Sequence, residues 1–225
     1  MLEIKSLTKM YNPKSGIQDI SISVSDGEIV AIVGPNGAGK STLFNILGRV
    51  LQADTGTCSL HGITLGKLHI SKIGFLPERL YLLEEFTPLQ MIHFVNTMKD
   101  VGSSNSEIDE LIHHFGIDSY VEKSIKTLSV GMRKRVELAC ALLGKPDMIV
   151  LDEPLNSLDI QGVLALKDAL KVCKKNEQIV LLSSHILDFL DTTVDKVVFL
   201  GNGKILDMCS NTTECTEDIY RKLFT

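Results

Sequence analysis

Residues 34–42 read Gly-Pro-Asn-Gly-Ala-Gly-Lys-Ser-Thr, and this stretch decides the fold of the chain around it. The spacing of Gly34, Gly39, Lys40 and Ser41 is that of a phosphate-binding loop. Glycines let the backbone curl so that successive N–H groups face phosphate oxygens. Lys40 supplies a positive charge for the β- and γ-phosphates, and the Ser41 hydroxyl can ligate Mg²⁺. The pattern predicts a nucleotide site formed by Asn36, Gly37, Ala38, Gly39, Lys40, Ser41 and Thr42.

The segments on either side of this loop support that interpretation. Residues 28–33 read Glu-Ile-Val-Ala-Ile-Val, and the apolar run after Glu28 predicts a buried strand leading into the loop. Behind the loop, Leu43, Phe44, Ile46 and Leu47 recur at helical spacing. A helix that begins here directs the positive end of its dipole at the bound phosphates. Strand, loop and helix are the context in which this motif binds nucleotides.

The bulk composition excludes several classes of protein. The chain has 225 residues, of which 44% are hydrophobic and 23% charged, as in ordinary globular proteins. A net charge of −5 argues against nucleic acid as a partner, because neutralising phosphates requires a basic face. The first residues do not form a signal peptide, and no apolar run has the length of a membrane span. We therefore expect a cytoplasmic protein that another chain holds at the membrane if it acts there.

The pattern of strands predicts an α/β fold with two kinds of sheet. The first strands, residues 2–11 and 17–24, have no helix between them, so they indicate an N-terminal antiparallel β-subdomain, with one more short strand at 56–65. Continuous apolar runs at 148–151 and 179–182 are typical of a parallel sheet that is buried on both faces. Residues 197–206 read as a hairpin, and 217–224 as a closing helix.

The middle of the chain differs in character from the rest. Thr87 is a good N-cap residue followed by Pro88, and apolar residues then recur at helical spacing. We predict one domain over 1–225, in which an α-helical subdomain at 80–126 is inserted into a P-loop core formed by 1–79 and 127–225.

Other candidate site residues lie at the ends of predicted elements. Asp152 and Glu153 follow a buried strand, where Asp152 can hold Mg²⁺ and Glu153 can orient or deprotonate the attacking water. His185 follows the next strand, at the edge where α/β proteins bind ligands. Ser129 suits an N-cap, Gly131 allows close backbone approach, and a helix that begins there is an anion site.

Together these motifs resemble those of the ATP-binding-cassette (ABC) ATPases, the motor subunits of membrane transporters. The loop at 34–42 is similar to the Walker A motif, 148–153 to Walker B with its catalytic glutamate, and 155–159 to the D-loop. Residues 128–132 resemble the family signature, and His185 the switch histidine. Tyr11 matches the aromatic residue that stacks on adenine. Glu78 stands at the position of the Q-loop residue that contacts the metal, which makes Ser41, Glu78 and Asp152 the implied Mg²⁺ ligands.

The resemblance implies an ATPase that uses ATP and Mg²⁺ and works as a homo- or heterodimer beneath a separate transmembrane permease. Each ATP lies between the Walker A loop of one chain and the Ser129 helix of the other, and 80–126 contacts the permease. The protein is then peripheral on the inner face of the cell membrane. A second hypothesis, a soluble ABC ATPase of translation or repair, is less consistent with one acidic cassette without a coiled-coil insertion.

Two departures from the family pattern concern the chemistry and the direction of transport. Glu78 replaces the usual glutamine and adds a negative charge near the phosphates. Its Leu-Pro-Glu context resembles the branch that exports drugs, peptides and polysaccharides. The signature reads Leu-Ser-Val-Gly-Met where Leu-Ser-Gly-Gly-Gln is usual, so Val130 and Met132 predict a competent but slow site. The sequence does not name the cargo.

Overall fold

A six-stranded sheet forms the centre of the molecule. The computed structural model describes residues 1–13, 15–79, 82–210 and 216–224. Within these residues the strand order is β10-β9-β3-β8-β7-β6, with only β10 antiparallel to its neighbour. The strands are β3 (Ile29–Val33), β6 (Ile73–Leu76), β7 (Met148–Leu151), β8 (Ile179–Ser183), β9 (Lys196–Gly201) and β10 (Lys204–Ser210). The predicted parallel sheet and the predicted hairpin at its edge are both present.

The parallel strands are buried on both faces because each face carries its own apolar layer. In β3 the side chains of Ile29, Ala31 and Val33 enter one core cluster, and those of Val30 and Ile32 enter the other. Every residue of β3 and β7 is buried. Such strands read as continuous hydrophobic runs, which is why the sequence predicted them correctly.

The second sheet is antiparallel and has the order β2-β1-β4-β5 among the described strands. It contains β1 (Leu2–Asn12), β2 (Ser15–Val24), β4 (Thr55–Leu60) and β5 (Ile63–Thr64). The expected antiparallel subdomain is therefore confirmed, but the single strand expected at 56–65 is wrong. His61 and Gly62 both have positive φ, and the chain turns there into a short hairpin.

Helices cover both faces of the central sheet. They are α1 (Lys40–Leu47), α2 (Pro88–Met98), α3 (Asn105–His114), α4 (Val130–Leu142), α5 (Ile160–Lys175), α6 (Leu187–Thr193) and α7 (Thr216–Phe224). Thr87 caps α2 in a capping box with Gln90, as its sequence indicates. The short helix α6 was not predicted. The fold class expected from the sequence is thus the one observed.

The helical segment between β6 and α4 packs on the central sheet through a shared core. Ile92 of α2, Ile108 of α3 and Val136 of α4 belong to the same buried cluster as Leu151 of β7. The predicted start of the helical subdomain, Leu80, lies outside the described residues. Its predicted end at Lys126 precedes α4, so the division at 80–126 remains a prediction.

Parallel strands bring several loops to one edge of the sheet. Ser183 at the end of β8 pairs with Ile32 of β3, and Leu182 pairs with Leu151 of β7. Leu151 in turn pairs with Leu76 of β6. The loops after these strands therefore begin side by side, and they carry the residues that the sequence singled out.

Candidate functional site

The loop between β3 and α1 is held in place by the β9–β10 hairpin. A Cβ atom on Gly34 would lie 2.0 Å from the backbone oxygen of Leu200, so only glycine fits there. Within the loop the N–H of Ala38 donates to the oxygen of Pro35 at 3.1 Å. The N–H of Gly203 donates to the oxygen of Ala38 at 3.0 Å. The loop is fixed from behind by backbone contacts.

The front of the same loop is open. Gly37 has a φ of +82°, and a Cβ built on it would have no atom within 4 Å outside its immediate neighbours. Gly39 precedes α1 with a φ of +106° and offers no side chain to cap it. The first turn of α1 contains no acidic residue. The loop and helix start therefore form a cradle of N–H groups suited to an anion.

Lys40 begins α1 and is 8% exposed. Its Nζ donates to the backbone oxygen of Gly34 at 2.6 Å and to that of Pro35 at 3.3 Å. Burial lowers the pKa of the Lys40 ammonium, and the charges of Glu153, Asp152 and Glu78 act in the opposite direction. A buried ammonium held across the loop provides a positive charge at the cradle.

Asp152 and Glu153 follow β7 and are 3% and 6% exposed. The hydroxyl of Ser183, at the end of β8, donates to Asp152 Oδ1 at 2.7 Å. The same hydroxyl accepts a hydrogen bond from the N–H of Glu153 at 2.8 Å. Sequence reasoning missed this role of Ser183, and the only available signal was a polar residue that ends an otherwise apolar strand.

The carboxylate of Glu153 lies beside the ring of His185. Glu153 Oε1 and His185 Nε2 are 2.8 Å apart, an ion-pair distance without the geometry of a hydrogen bond. Glu153 Oε1 is buried and has no hydrogen-bond partner among the described residues. Burial raises the pKa of Glu153, while the charges of His185 and Lys40 oppose that rise. The carboxylate is therefore a stronger base than a free glutamate.

These groups surround one cavity of about 310 Å³. Its walls contain the predicted loop residues together with three acids, a histidine and two residues that the sequence analysis did not single out. The lining is Ser15, Gly16, Asn36, Gly37, Ala38, Gly39, Lys40, Ser41, Thr42, Glu78, Asp152, Glu153 and His185. The cavity brings together eleven of the fourteen predicted catalytic, nucleotide and metal residues.

The three that lie elsewhere are Tyr11, Ser129 and Gly131.

Tyr11 lies near the end of β1 and is 56% exposed. Ser129 caps α4 by accepting a hydrogen bond from the N–H of Met132 at 3.3 Å, and its own side chain is exposed. A Cβ on Gly131 would lie 2.7 Å from the backbone oxygen of Ser157, so the start of α4 packs closely on the loop before α5. The start of α4 is thus a second helix N-terminus, separate from the cavity within one chain.

Comparisons with known proteins match the chain to one family. Residues 17–156 match the model of a family described as ABC transporter. The chain is 31% identical over 206 residues to the lantibiotic transport ATP-binding protein SrtF of Streptococcus pyogenes, covering 92% of this chain and 89% of that protein. It is 31% identical over 202 residues to the zinc import ATP-binding protein ZnuC of Mannheimia succiniciproducens, covering 89% and 73%. A solved ATP-binding subunit of an ABC transporter superposes with a TM-score of 0.86 at 28% identity, covering 99% and 93%.

Proposed function

Because the chain belongs to the ABC transporter family and is an ATP-binding, ATP-hydrolysing subunit of that family, we propose that its 310 Å³ cavity binds ATP together with Mg²⁺. The observation that carries this proposal is that one cavity gathers the phosphate loop, the buried Lys40 and three acids that follow the neighbouring strands β6 and β7. The translation- or repair-associated alternative is set aside, because the family matched is one of transporters.

The phosphates of ATP fit the front of the loop. Gly37 leaves open space where a side chain would stand, and the N–H groups at the start of α1 have no side-chain cap. Lys40 adds its ammonium from the same helix start. The phosphate oxygens of ATP accept hydrogen bonds from these donors, and their negative charge interacts favourably with the positive end of the helix dipole. Asn36, Ala38, Gly39 and Thr42 complete the contact surface.

The oxygen ligands that a magnesium ion prefers are present in the same cavity. Ser41, Glu78 and Asp152 line it, and all three offer oxygen atoms, the donors that suit a hard cation. We assign these residues to the metal. When bound, the ion neutralises charge on the phosphates as the terminal phosphoryl group is transferred to water.

Glu153 is the residue we assign to the attacking water. Its raised pKa, caused chiefly by burial, makes the carboxylate a better proton acceptor at neutral pH than a solvated acid. His185 lies 2.8 Å from this carboxylate and is half exposed, so it can contact both Glu153 and a terminal phosphate. Lys40 stabilises the charge that develops on the phosphoryl oxygens.

A second cassette completes the site in this proposal. Ser129 and Gly131 lie outside the cavity of their own chain, at an exposed helix start that offers N–H groups and a hydroxyl. In a head-to-tail dimer they face the γ-phosphate bound by the other chain. Tyr11 is assigned to the adenine, since its exposed ring is free to stack on a base.

A separate permease anchors the dimer at the inner face of the membrane. No helix in the described part of the chain is long and apolar enough to span a bilayer. The segment assigned to the permease carries exposed apolar side chains, with Leu83 43%, Phe94 39% and Met98 66% exposed. In this proposal the permease covers these side chains. For the direction we propose export, on the Leu76-Pro77-Glu78 sequence.

The proposed nucleotide site is tested by Mg²⁺-dependent phosphate release from the purified chain. Lys40→Ala removes the buried ammonium and should abolish hydrolysis. Lys145→Ala is the matched control, because Lys145 is exposed and its ion pair with Glu107 spans 3.9 Å. Equal activity of the two variants would contradict the proposal.

The proposed docking surface is tested by co-expression with a candidate permease, a protein with several membrane spans. Phe94→Ser with Met98→Ser should leave ATPase activity unchanged and reduce recovery with the membrane protein. Recovery that stays at the wild-type level would place the contact elsewhere. Cargo measured in inside-out vesicles then gives the direction: ATP-dependent uptake into these vesicles means export.

A further inference from the structure

Ser183 occupies an unusual position at the cavity. Ser183 is the last residue of β8, is completely buried, and lies beside the end of β7. Its hydroxyl contacts two consecutive residues of the neighbouring strand end, the carboxylate of Asp152 at 2.7 Å and the backbone N–H of Glu153 at 2.8 Å. Ser183 does not line the cavity, so it touches the proposed site only through these two residues.

The two hydrogen bonds fix each other's direction. A backbone N–H can only donate, so the hydroxyl oxygen of Ser183 accepts from Glu153. The single hydroxyl hydrogen is then available for Asp152 Oδ1, and a hydrogen bond to a carboxylate in a buried site is among the stronger ones. This bond holds one oxygen of Asp152 and leaves Oδ2 for a ligand in the cavity.

The bond to Glu153 acts on the backbone. Glu153 has a φ of +50°, in the left-handed region that residues with a side chain rarely adopt. The turn that results places the Glu153 carboxylate against His185, which follows Ser183 by two residues. The Ser183 hydroxyl stabilises this turn at the N–H of the residue that is strained.

We propose that Ser183 is a positioning residue that sets the orientation of the Asp152 carboxylate and the turn at Glu153 at the same time. The inference rests on the roles proposed above for Asp152 in metal binding and Glu153 in water activation. Ser183 itself touches neither nucleotide nor metal. Its hydroxyl couples the two halves of the acidic pair, so that the metal and the water are aligned together.

The test is the gain in affinity for a fluorescent ATP analogue when Mg²⁺ replaces EDTA. Ser183→Ala should bind the analogue in EDTA as the wild type does, because the phosphate loop is untouched. The factor by which Mg²⁺ increases the affinity for the analogue should be roughly tenfold smaller than in the wild type, or smaller still. This is the loss expected for one buried hydrogen bond to a carboxylate. Ser184→Ala is the matched control, since Ser184 is also buried but its hydroxyl accepts from the N–H of Ile186 at 3.0 Å.

A pair of isosteric variants separates the hydroxyl from side-chain volume. Ser183→Thr keeps the hydroxyl and Ser183→Val replaces it with a methyl group, so the Mg²⁺ gain should be larger in the threonine variant. This pair decides the question even if Ser183→Ala does not fold. Equal gains in the two variants, or an equal loss of affinity in EDTA and in Mg²⁺ for Ser183→Ala, would overturn the inference.

Asp152→Asn distinguishes this inference from the proposed function. If Asp152→Asn loses the Mg²⁺ gain and Ser183→Ala keeps it, the metal role of Asp152 stands and only the role of Ser183 is wrong. If Asp152→Asn keeps the gain, the assignment of Asp152 to the metal is itself wrong. The inference requires that both variants lose the gain.

Discussion

Glu153→Gln should slow hydrolysis and stabilise the fold at the same time. The wild-type carboxylate is 6% exposed, and its Oε1 has no hydrogen-bond partner among the described residues. General-base catalysis contributes about a hundredfold to ten-thousandfold to a rate, so turnover should fall by at least about a hundredfold. Binding of ATP should persist, because the phosphate loop is unchanged.

The gain in stability follows from the raised pKa of Glu153. Burial is its main cause, so the folded protein binds this proton more tightly than the unfolded chain does. Ionisation therefore costs stability in full at a pH above the folded pKa, and this cost shrinks as the pH falls from there and is gone below the unfolded pKa. Removing the buried charge should raise the free energy of unfolding by about 1 kcal/mol, the low end of the cost of a buried polar group without a partner. A gain of about that size raises the melting temperature by about 2–4 °C in a chain of this size.

The assay combines phosphate release with thermal unfolding of the nucleotide-free protein in EDTA. At neutral pH Glu153→Gln should melt above the wild type, and the difference should shrink as the pH is lowered and wild-type Glu153 becomes protonated. Near-normal hydrolysis would show that another group handles the water. A melting temperature below that of the wild type at neutral pH would refute the electrostatic reasoning.

Three further results are expected. Tyr11→Ala should weaken binding of ATP and GTP alike by roughly tenfold or more in an equilibrium titration, because base–aromatic stacking contributes about 1–3 kcal/mol. Unchanged affinity would show that Tyr11 does not stack on the base. Gly34→Ala should lower the free energy of unfolding more than Gly37→Ala does, because a Cβ on Gly34 would lie 2.0 Å from the backbone oxygen of Leu200. Gly37→Ala meets no neighbouring atom and loses only the roughly 1–2 kcal/mol of a positive φ, so equal losses in denaturant unfolding would contradict this reasoning. Val130→Gly with Met132→Gln should hydrolyse ATP at least as fast as the wild type, and a slower variant would show that the altered signature suits this chain.

The sequence predicted which residues lie together where their position depends on order along the chain. Asp152 and His185 were found because parallel strands end at one edge of a sheet, so residues after consecutive strands lie together. The loop around Lys40 was found because its glycine spacing reflects a backbone shape. Both predictions use only short motifs and their order along the chain.

What the sequence did not predict depends on contacts between distant residues. Ser183 is 31 residues from Asp152, and their hydrogen bond exists only because β7 and β8 are adjacent. The hairpin at 61–62 was missed because His61 adopts a positive φ that few residues other than glycine favour. The short helix α6 has no side-chain cap to mark its start.

The central claim is that two chains share each ATP, and mixing two inactive variants tests it most directly. Ser129→Arg disrupts the α4 start, and Glu153→Gln removes the proposed base from the cavity of its own chain. A mixed dimer joins the intact cavity of the first variant to the intact α4 start of the second, so one functional site returns. Mixing Glu153→Gln with Asp152→Asn is the control, because both changes damage the cavity and no pairing restores one.

The measurement is phosphate release from an equal mixture of Ser129→Arg and Glu153→Gln. We expect each variant alone to be inactive and the mixture to recover up to about a quarter of wild-type activity, since half of randomly formed dimers are mixed and each has one intact site. A mixture as inactive as its components and as the control, or a fully active Ser129→Arg alone, would contradict the shared site.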